Sequence, residues 1–480
     1  MQNSLHKDNQ GNLSSFWGVG GGVITAISTA PGMGALAVIR LSGEGCIDLT
    51  EQTFKSPTGK KLLAQKANTV HFGQIVFNNE IIDEVLVSIF RAPHSFTGEE
   101  SVEISCHGSV YIQQKIVEAL LAKGARLADA GEFTRRAFKN GKFDLSQAEA
   151  VADLIASSSR ASHRVAMNQM RGGFAEKLAE LRDKLLQFVS LIELELDFSE
   201  EDVEFANRQT LYELTEHIEA KIDKLAGSFQ LGNAIKNGIP VAIIGETNAG
   251  KSTLLNLLLN EEKAIVSDIH GTTRDVIEDT VSIGGVTFRF IDTAGIRHTT
   301  DTIETLGIER TFQKIEQASI VLWMIDLTTP KAQIETLAQS VIPKLQDKHV
   351  MLLFNKLDLL SEAERAQKQH LLPNLEAERL FISAKQQQNT DVLQQLLLKT
   401  AHIPQIGEGD VVVTNLRHYN ALSKALEAIR RAKEGLEIGL TGDFISQDIR
   451  ECMFYLGEIT GHISTDEILG NIFSKFCIGK

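Results

Sequence analysis

Eight residues, Gly245-Glu-Thr-Asn-Ala-Gly250-Lys251-Ser252, carry the pattern G-x-x-x-x-G-K-[ST]. They follow the apolar run PVAII and open the segment STLLNLLLN, so strand, loop and helix are expected in that order. In such a loop the glycines let backbone N–H groups turn inward around phosphate oxygens. Asn248, Ala249, Gly250 and Thr253 are assigned to that cradle. Lys251 brings a point charge to the β- and γ-phosphates, and Ser252 a hydroxyl for Mg²⁺. Further pieces follow in order. Asp292-Thr293-Ala294-Gly295 ends a strand. Its Asp can hold Mg²⁺ through water and its Gly can sense a γ-phosphate. Between them lies Gly271-Thr272-Thr273-Arg274, where a switch threonine would complete the Mg²⁺ shell. Asn355-Lys356-Leu357-Asp358 ends the next strand but one. The Asp358 carboxylate can accept hydrogen bonds from guanine N1–H and the 2-amino group. Adenine lacks both donors and would leave the carboxylate unpaired, which discriminates strongly. Ser383-Ala384-Lys385 adds a backbone contact to the guanine oxygen and a lysine over the base. The set predicts a site for GTP and Mg²⁺.

The elements that must position these groups are legible in the same stretch. IPVAIIG, VTFRFIDTAG, SIVLWMIDL and HVMLLFNKLD are short apolar strands separated by helix-length segments. That alternation predicts a parallel sheet with helices on both faces. Ahead of it, from Val23, the pattern predicts strands and then a helix. VITAIST and ALAVIRLSG form a hairpin around PGMG, and HFGQIVF and VLVSIFRA flank a turn at Asn78-Asn79. SVEISCHGS alternates as a strand, and VYIQQKIVEALLAKGA has helical spacing with a stop at Gly124. From Leu145 the period is helical: Leu178, Leu181, Leu185, Phe188 and Ile192 define one apolar face. Helical spacing returns at Leu416, Tyr419, Leu422, Leu426 and Ile429. Neither face can be buried alone, so the α/β block is expected to interrupt one helical domain.

The fold class that results is α/β plus α. A disordered polar tail is expected over 1–21 and an N-terminal α/β domain over 22–138. A helical domain is expected over 139–233 and 401–480, with a Ras-like P-loop GTPase domain inserted at 234–400. The length of 480 residues suits about three domains. The chain has no run of 18 apolar residues, so no membrane span is expected. Cys46, Cys106, Cys452 and Cys477 form no CxxC pair, which argues against a disulfide framework or zinc knuckle and fits a reducing cytoplasm. The net charge of −14 gives no whole-chain case for nucleic-acid binding, though it leaves room for a local basic patch.

The nucleotide motifs resemble those of the translation-factor-class GTPases, with one departure. Ras-like enzymes place a water-positioning Gln after DxxG; here that residue is Ile296, which cannot do it. Catalysis must use other groups. The side-chain carbonyl of Asn248 suits a monovalent cation, and a K⁺ there could offset developing charge. Glu304 lies a short loop beyond and could orient water. Local sequence equally allows Asn248 as a turn residue and Glu304 as an exposed charge.

Both flanks carry a second resemblance. The series STAPG, RLSG, FTGEE, CHG, GEFTRRAF and LSQAEA precedes the nucleotide set, and the chain ends in Phe-Cys477-Ile-Gly-Lys480. From about Val23 to Lys480 this resembles the MnmE (TrmE) family of tRNA-modification GTPases. The resemblance implies a folate-binding, dimerising N-terminal domain and a homodimer. It implies a heterotetramer with the FAD-dependent subunit MnmG, acting on C5 of the tRNA wobble uridine. It implies 5,10-methylenetetrahydrofolate or 5-formyltetrahydrofolate as one-carbon source, and K⁺-driven pairing of G domains. By position, Arg40, Glu103, Lys142 and Lys480 match folate contacts. Glu103 suits an amino-pyrimidine edge, and the cations suit glutamate carboxylates. Without the resemblance Arg40 and Lys142 read as surface charges. Asn248, Ser267, Ile269 and Thr272 match K⁺ contacts, Ser252 and Thr273 the Mg²⁺ ligands, and Glu304 the catalytic glutamate. The family commonly has Pro where this chain has Thr247.

Some residues keep two readings. Cys477 is either a nucleophile in the modification chemistry or a tail thiol packed near folate. Arg135 and Arg136 suit tRNA phosphates or an exposed helix face equally. Cys46, Cys106 and Cys452 read as small buried hydrophobes and His107 as structural. The acidic run from Glu193 to Glu204 reads as a solvated helix end and linker. The competing function is a regulatory GTPase in ribosome assembly or signalling, which would need neither the folate-type residues nor the CIGK tail.

Overall fold

The computed structural model describes residues 22–197, 208–262, 279–291, 312–361, 364, 365, 368, 371–373, 375–401, 410–463, 466–474, 476 and 479. The expected tail 1–21 lies outside them. The chain divides into two compact units. One comprises Met1–Ala152, Gln169–Phe205 and Ser446–Lys480; the other comprises Asp153–Asn168 and Ala206–Ile445.

The first unit is built on a seven-stranded sheet of order β3-β4-β5-β6-β2-β1-β7. Its strands are β1 (Ile24–Ile27), β2 (Leu36–Ser42), β3 (Phe54–Lys55), β4 (Thr69–Phe77), β5 (Glu80–Phe90), β6 (Ser101–His107) and β7 (Arg126–Leu127). Pairing is antiparallel except between β1 and β7. Period-two alternation sends Ile39, Leu41, Val87, Ile89, Val102 and Ile104 to one face, where they pack with Ile47 of α1 (Cys46–Glu51) and Ile116 and Leu120 of α2 (Val110–Ala122). The β4–β5 turn puts Asn78 at φ 53° and Asn79 at φ 66°, the paired left-handed geometry of a tight hairpin. α3 (Glu132–Lys139) lays Phe133 against Ile24, Ala26 and Ala128. The helices α4 (Leu145–Ala156) and α6 (Gly173–Asp197) follow, and Leu178, Leu181, Leu185, Phe188 and Ile192 are all buried; α5 (Arg160–Met170), between them in sequence, belongs almost wholly to the second unit. Glu193, which opens the acidic run, pairs with Arg450, and both side chains stay exposed to solvent.

The second unit holds a six-stranded sheet of order β13-β12-β11-β8-β10-β9. Its strands are β8 (Ile239–Ile244), β9 (Asp279–Ile283), β10 (Val286–Phe290), β11 (Ile320–Asp326), β12 (His349–Asn355) and β13 (Glu378–Phe381). All pairs are parallel except the β9–β10 hairpin at one edge. Both faces are dry. Val241, Ile243, Leu322, Met324 and Leu353 face Leu254, Leu255 and Leu258 of α9 (Lys251–Glu262) and Leu393 and Leu397 of the helix Thr390–Ala401. Ala242, Ile244, Val321, Trp323 and Phe354 face Ile334 and Ala338 of the helix Lys331–Val341. This explains why β8, β11 and β12 read as apolar runs. In the same unit α7 (Arg208–Gly227) packs along the helix Leu416–Glu437, so helices before and after the strands meet. Phe229 at the start of α8 (Phe229–Asn237) stacks on Tyr419 with ring centroids 4.6 Å apart.

Candidate nucleotide-binding site

The phosphate-type loop leaves the C-terminal end of β8 and enters α9, where a doubly covered parallel sheet places its ligands. Two of its glycines are forced. Gly245 has φ +142°, and a Cβ there would lie 2.3 Å from the Met324 carbonyl oxygen. Gly250 has φ +97°, and a Cβ would lie 2.2 Å from Asn355 Nδ2. A side chain at either position would push the loop off the neighbouring strands. Asn248 also sits at positive φ, +64°, which Asn tolerates better than most residues.

Lys251 Nζ donates to the carbonyl oxygens of Gly245 at 2.7 Å and Glu246 at 2.6 Å. The ammonium thus rests on its own loop. Burial, with the nearby charge of Lys314, pulls its pKa down to about 8 against the opposing pull of Glu246. Incoming phosphate oxygens would relieve that penalty. Ser252 follows at the start of α9, where a hydroxyl can reach a cation beside those phosphates.

Asn355 is buried and works at both ends of its amide. Its Nδ2 donates to Ala249 O at 2.8 Å, and its Oδ1 accepts from Ala384 N at 3.0 Å. One side chain therefore clips the phosphate loop to the loop after β13. Ser383 donates its hydroxyl to Asp358 Oδ1 at 2.6 Å and accepts from Gln386 N at 3.2 Å. That fixes the carboxylate in one orientation while leaving it exposed. Lys356 has φ +67° and its Nζ pairs with Asp326. Lys385 is exposed at the same rim. Thus Asn248, Ala249, Gly250, Lys251, Ser252 and Thr253 share one strand–loop–helix turn, while Asn355, Lys356, Asp358, Ser383, Ala384 and Lys385 are brought to the ends of the neighbouring strands. Ser267, Ile269, Thr272, Thr273, Asp292, Thr293, Ala294, Gly295 and Glu304 lie outside the described residues.

Sequence reasoning missed Asp326. It ends β11, and its carboxylate takes Thr328 N at 2.8 Å and Thr328 Oγ1 at 2.7 Å as well as Lys356. Burial opposes its charge, but the bonds from Lys356 and Thr328 hold its carboxyl below the usual carboxylate range. The signal available was a carboxylate closing the strand SIVLWMID beside TTP.

In the first unit, β2–β6 register sets Arg40 opposite Glu103. Both Arg40 Nε and Nη2 donate to Glu103 Oε1, at 3.0 and 2.7 Å. The guanidinium also lies 5.3 Å from the Phe96 ring centroid and 5.8 Å from that of Phe133. This corrects the reading of Arg40 as a surface charge. Such a planar ion pair against aromatic rings can exchange one bond for a flat heterocycle with donor and acceptor edges. Lys142 is exposed and donates to Pro93 O at 3.1 Å. Cys477 and Lys480 lie outside the described residues, but Gly479 does not: its carbonyl accepts from Ser28 Oγ at 3.1 Å. The chain's end is thereby tied to the residue after β1.

Two more readings change. Arg136 is 5% exposed and bonds Glu99 at 2.9 Å and Glu132 at 3.1 Å, and Arg135 lies 3.7 Å from both Asp129 and Glu132. Neither forms an open helix face for RNA, because Glu132 one turn earlier draws both inward. His107 Nδ1 is 2.8 Å from Asp83 Oδ1, with the ring largely exposed. Cys46, Cys106 and Cys452 are buried free thiols, with pKa values pushed up by burial to about 12, 11 and 12.

A family model described as the GTP-binding protein TrmE N-terminus matches residues 23–142, and one described as the MnmE helical domain matches residues 145–477. The tRNA modification GTPase MnmE of Bacteroides thetaiotaomicron is 60% identical over 461 residues, covering 95% of this chain and 99% of that protein. The proteins of that name from Bacteroides fragilis (60% over 463 residues) and Flavobacterium johnsoniae (54% over 461) have the same coverage. Identity at this level from end to end, across both flanks of a guanine-nucleotide cradle, places the chain in the family of MnmE tRNA modification GTPases.

Proposed function

We propose that the chain is a GTP hydrolase that acts in the cytoplasm with the FAD-dependent subunit MnmG. Together they install a carboxymethylaminomethyl or aminomethyl group at C5 of the wobble uridine of tRNA. The observation that carries this reading is likeness over 95% of the chain to proteins named for tRNA modification, with the Lys251–Asn355–Asp358 constellation set as a guanine nucleotide needs. The domain limits proposed are 22–138, 139–233 with 401–480, and 234–400. No helix among the described residues is long and apolar enough to cross a membrane.

The chain's own groups divide the work. Lys251 leaves its loop carbonyls for the β/γ-phosphates, and the loop N–H groups of Asn248, Ala249 and Gly250 hold phosphate oxygens. Asp358, held by Ser383, reads guanine, with Asn355, Lys356, Ala384 and Lys385 framing the base. Ser252 and Thr273 would hold Mg²⁺, with Asp292 behind water, and Asn248, Ser267, Ile269 and Thr272 would hold K⁺. These cations supply positive charge where negative charge grows. Glu304 would orient the attacking water, since Ile296 cannot. Arg40, Glu103, Lys142 and Lys480 would bind a tetrahydrofolate, which supplies the one-carbon unit. Two copies of the chain would pair through the N-terminal domain 22–138, and Cys477 would serve either as a nucleophile in the modification chemistry or as a tail thiol packed near folate. The regulatory-GTPase reading has no such use for the Arg40–Glu103 pair or for a tail tied to Ser28.

The test is mass spectrometry of tRNA nucleosides from cells with and without the gene. C5-substituted wobble uridines should vanish on deletion and return on complementation. Unchanged nucleosides, in cells without a redundant enzyme, would refute this reading in favour of the switch. Complementation with Cys477→Ser and Lys251→Ala then separates the modification chemistry from the nucleotide cycle.

A further inference from the structure

We propose that Asp326 is a positioning residue for the base-binding lysine, a largely covered carboxylate that fixes Lys356 and through it sets the lifetime of bound guanine nucleotide. The inference rests on the reading of Lys356 and Asp358 as base-framing groups.

Asp326 is the last residue of β11, and its side chain is only 11% exposed. Its two oxygens do different things. Oδ1 takes both bonds from Thr328, the backbone N–H and the hydroxyl, and so shapes its own turn. Oδ2 receives Lys356 Nζ from the end of the neighbouring strand. Closing a local turn needs only the first oxygen; the second is spent on a residue of the Asn355–Asp358 motif.

Lys356 itself is held at both ends. Its backbone sits at φ +67°, a left-handed conformation unfavourable for a non-glycine residue, and its ammonium is anchored 30 residues away in sequence. A free lysine would lose rotamer freedom when a base arrives beside it; an anchored stem has already lost it. The turn is secured in its own right. Lys368 Nζ donates to the carbonyls of Leu327 and Thr329, and Thr329 Oγ1 donates to Glu246 Oε2 of the phosphate loop at 3.3 Å. Residues 326–329 thus touch both nucleotide loops, and Asp326 is the point at which they grip the base loop.

The experiment is release of N-methylanthraniloyl-GDP from the full chain, chased with excess GTP, for wild type, Asp326→Asn, Lys356→Ala and the double variant. Asp326→Asn should speed release about ten-fold, equivalent to about 1.4 kcal/mol. The double variant should release no faster than Lys356→Ala alone, because both changes act through one ammonium. Thr328→Val, which leaves the Lys356 pair intact, should stay within about two-fold of wild type; this separates loop shape from lysine positioning. Asp326→Ser, which keeps an acceptor for Thr328, serves if Asp326→Asn does not fold. An unchanged rate in the Asp326 variants, or effects that multiply in the double variant, overturns the proposal. Preference of Asp358→Asn for xanthosine over guanosine nucleotides is measured alongside. If that preference does not shift, the base-site reading fails and takes this proposal with it. If it shifts while the Asp326 result is null, only the positioning role fails.

Discussion

Glu132 and Lys251 are charges withdrawn from water, the first fully and the second in part, and they are satisfied in different ways. Glu132 is fully buried in the first unit and takes bonds from Arg126 at 2.8 and 2.5 Å, from Arg136 and from the Asp129 N–H at 3.0 Å. Its partners are fixed side chains, and Arg136 is tied in turn to Glu99 and to the Gly22 carbonyl. Among the described residues, Lys251 in the second unit is bonded to carbonyls of the loop it belongs to. The first arrangement is closed: removing one member strands the others in a low dielectric. The second is provisional, because the same carbonyls can return to water when an anion takes the ammonium. A buried charge paired with distant side chains marks architecture. A buried charge parked on its own loop marks a ligand site. Arg40 and Glu103 stand between these cases, being paired side chain to side chain yet partly exposed.

Perturbing the closed cluster should have the largest effect. Glu132→Gln keeps the shape but leaves Arg126 and Arg136 undercompensated, and should cost about 3–5 kcal/mol in the unfolding of the unit that carries it. Thermal or urea melts of the full chain measure this. The same residue gives a pH signature. Burial would raise its carboxyl, but Arg126, the Asp129 N–H and Arg136 together hold it below the ordinary 4.5. Its folded value is depressed, so its contribution is complete above pH 4.5 and is lost as pH falls through the folded value.

The provisional charge should show itself next, in binding rather than in melting. Lys251 of the free loop loses its proton near pH 8, whereas phosphate oxygens favour the charged form. Nucleotide binding above pH 8 therefore takes up a proton. Affinity should be flat below pH 8 and fall by up to about ten-fold per pH unit above it. Titration calorimetry at pH 7, 8.5 and 9.5 would show this; constant affinity across the range would mean that Lys251 does not change partners.

The smallest effect belongs to charges that are neither closed nor provisional. Glu219 of α7 meets Arg430 at 2.9 Å and Lys433 at 3.0 Å on the helix Leu416–Glu437, in a cluster partly open to solvent. Glu219→Gln should cost less than about 1 kcal/mol, because solvent screens such pairs. A larger loss in the melt would remove the distinction between exposed pairs and the Glu132 cluster.

How far the sequence reached follows from the range of each interaction. The phosphate loop, the Asn355–Asp358 turn and Ser383–Ala384 were legible because each is a local chemical pattern on a strand end. The Asn78-Asn79 hairpin and the Gly124 stop, at φ +105°, were legible for the same reason. Alternation told which residues share a face but not which strands pair, so Arg40 and Glu103 were read as separate ligand contacts. The β2–β6 register, spanning 63 residues, makes them one pair. Arg135 and Arg136 read equally as contacts for tRNA phosphates or as an exposed helix face, yet Glu132 three and four residues earlier was the available sign. The Ser28–Gly479 bond spans 451 residues and left no local trace.

The contrast between closed and provisional charge is tested most directly by one paired measurement. Glu132→Gln and Lys251→Ala, in the full chain, are each taken through a thermal melt and a GDP titration. Glu132→Gln should lower the melting transition of its unit and leave the GDP affinity within about two-fold. Lys251→Ala should weaken GDP binding at least about a hundred-fold, the loss of a buried charge-to-phosphate contact, without lowering any melting transition. If Lys251→Ala instead destabilises the fold as Glu132→Gln does, its ammonium is part of the architecture and the account of the nucleotide site is wrong.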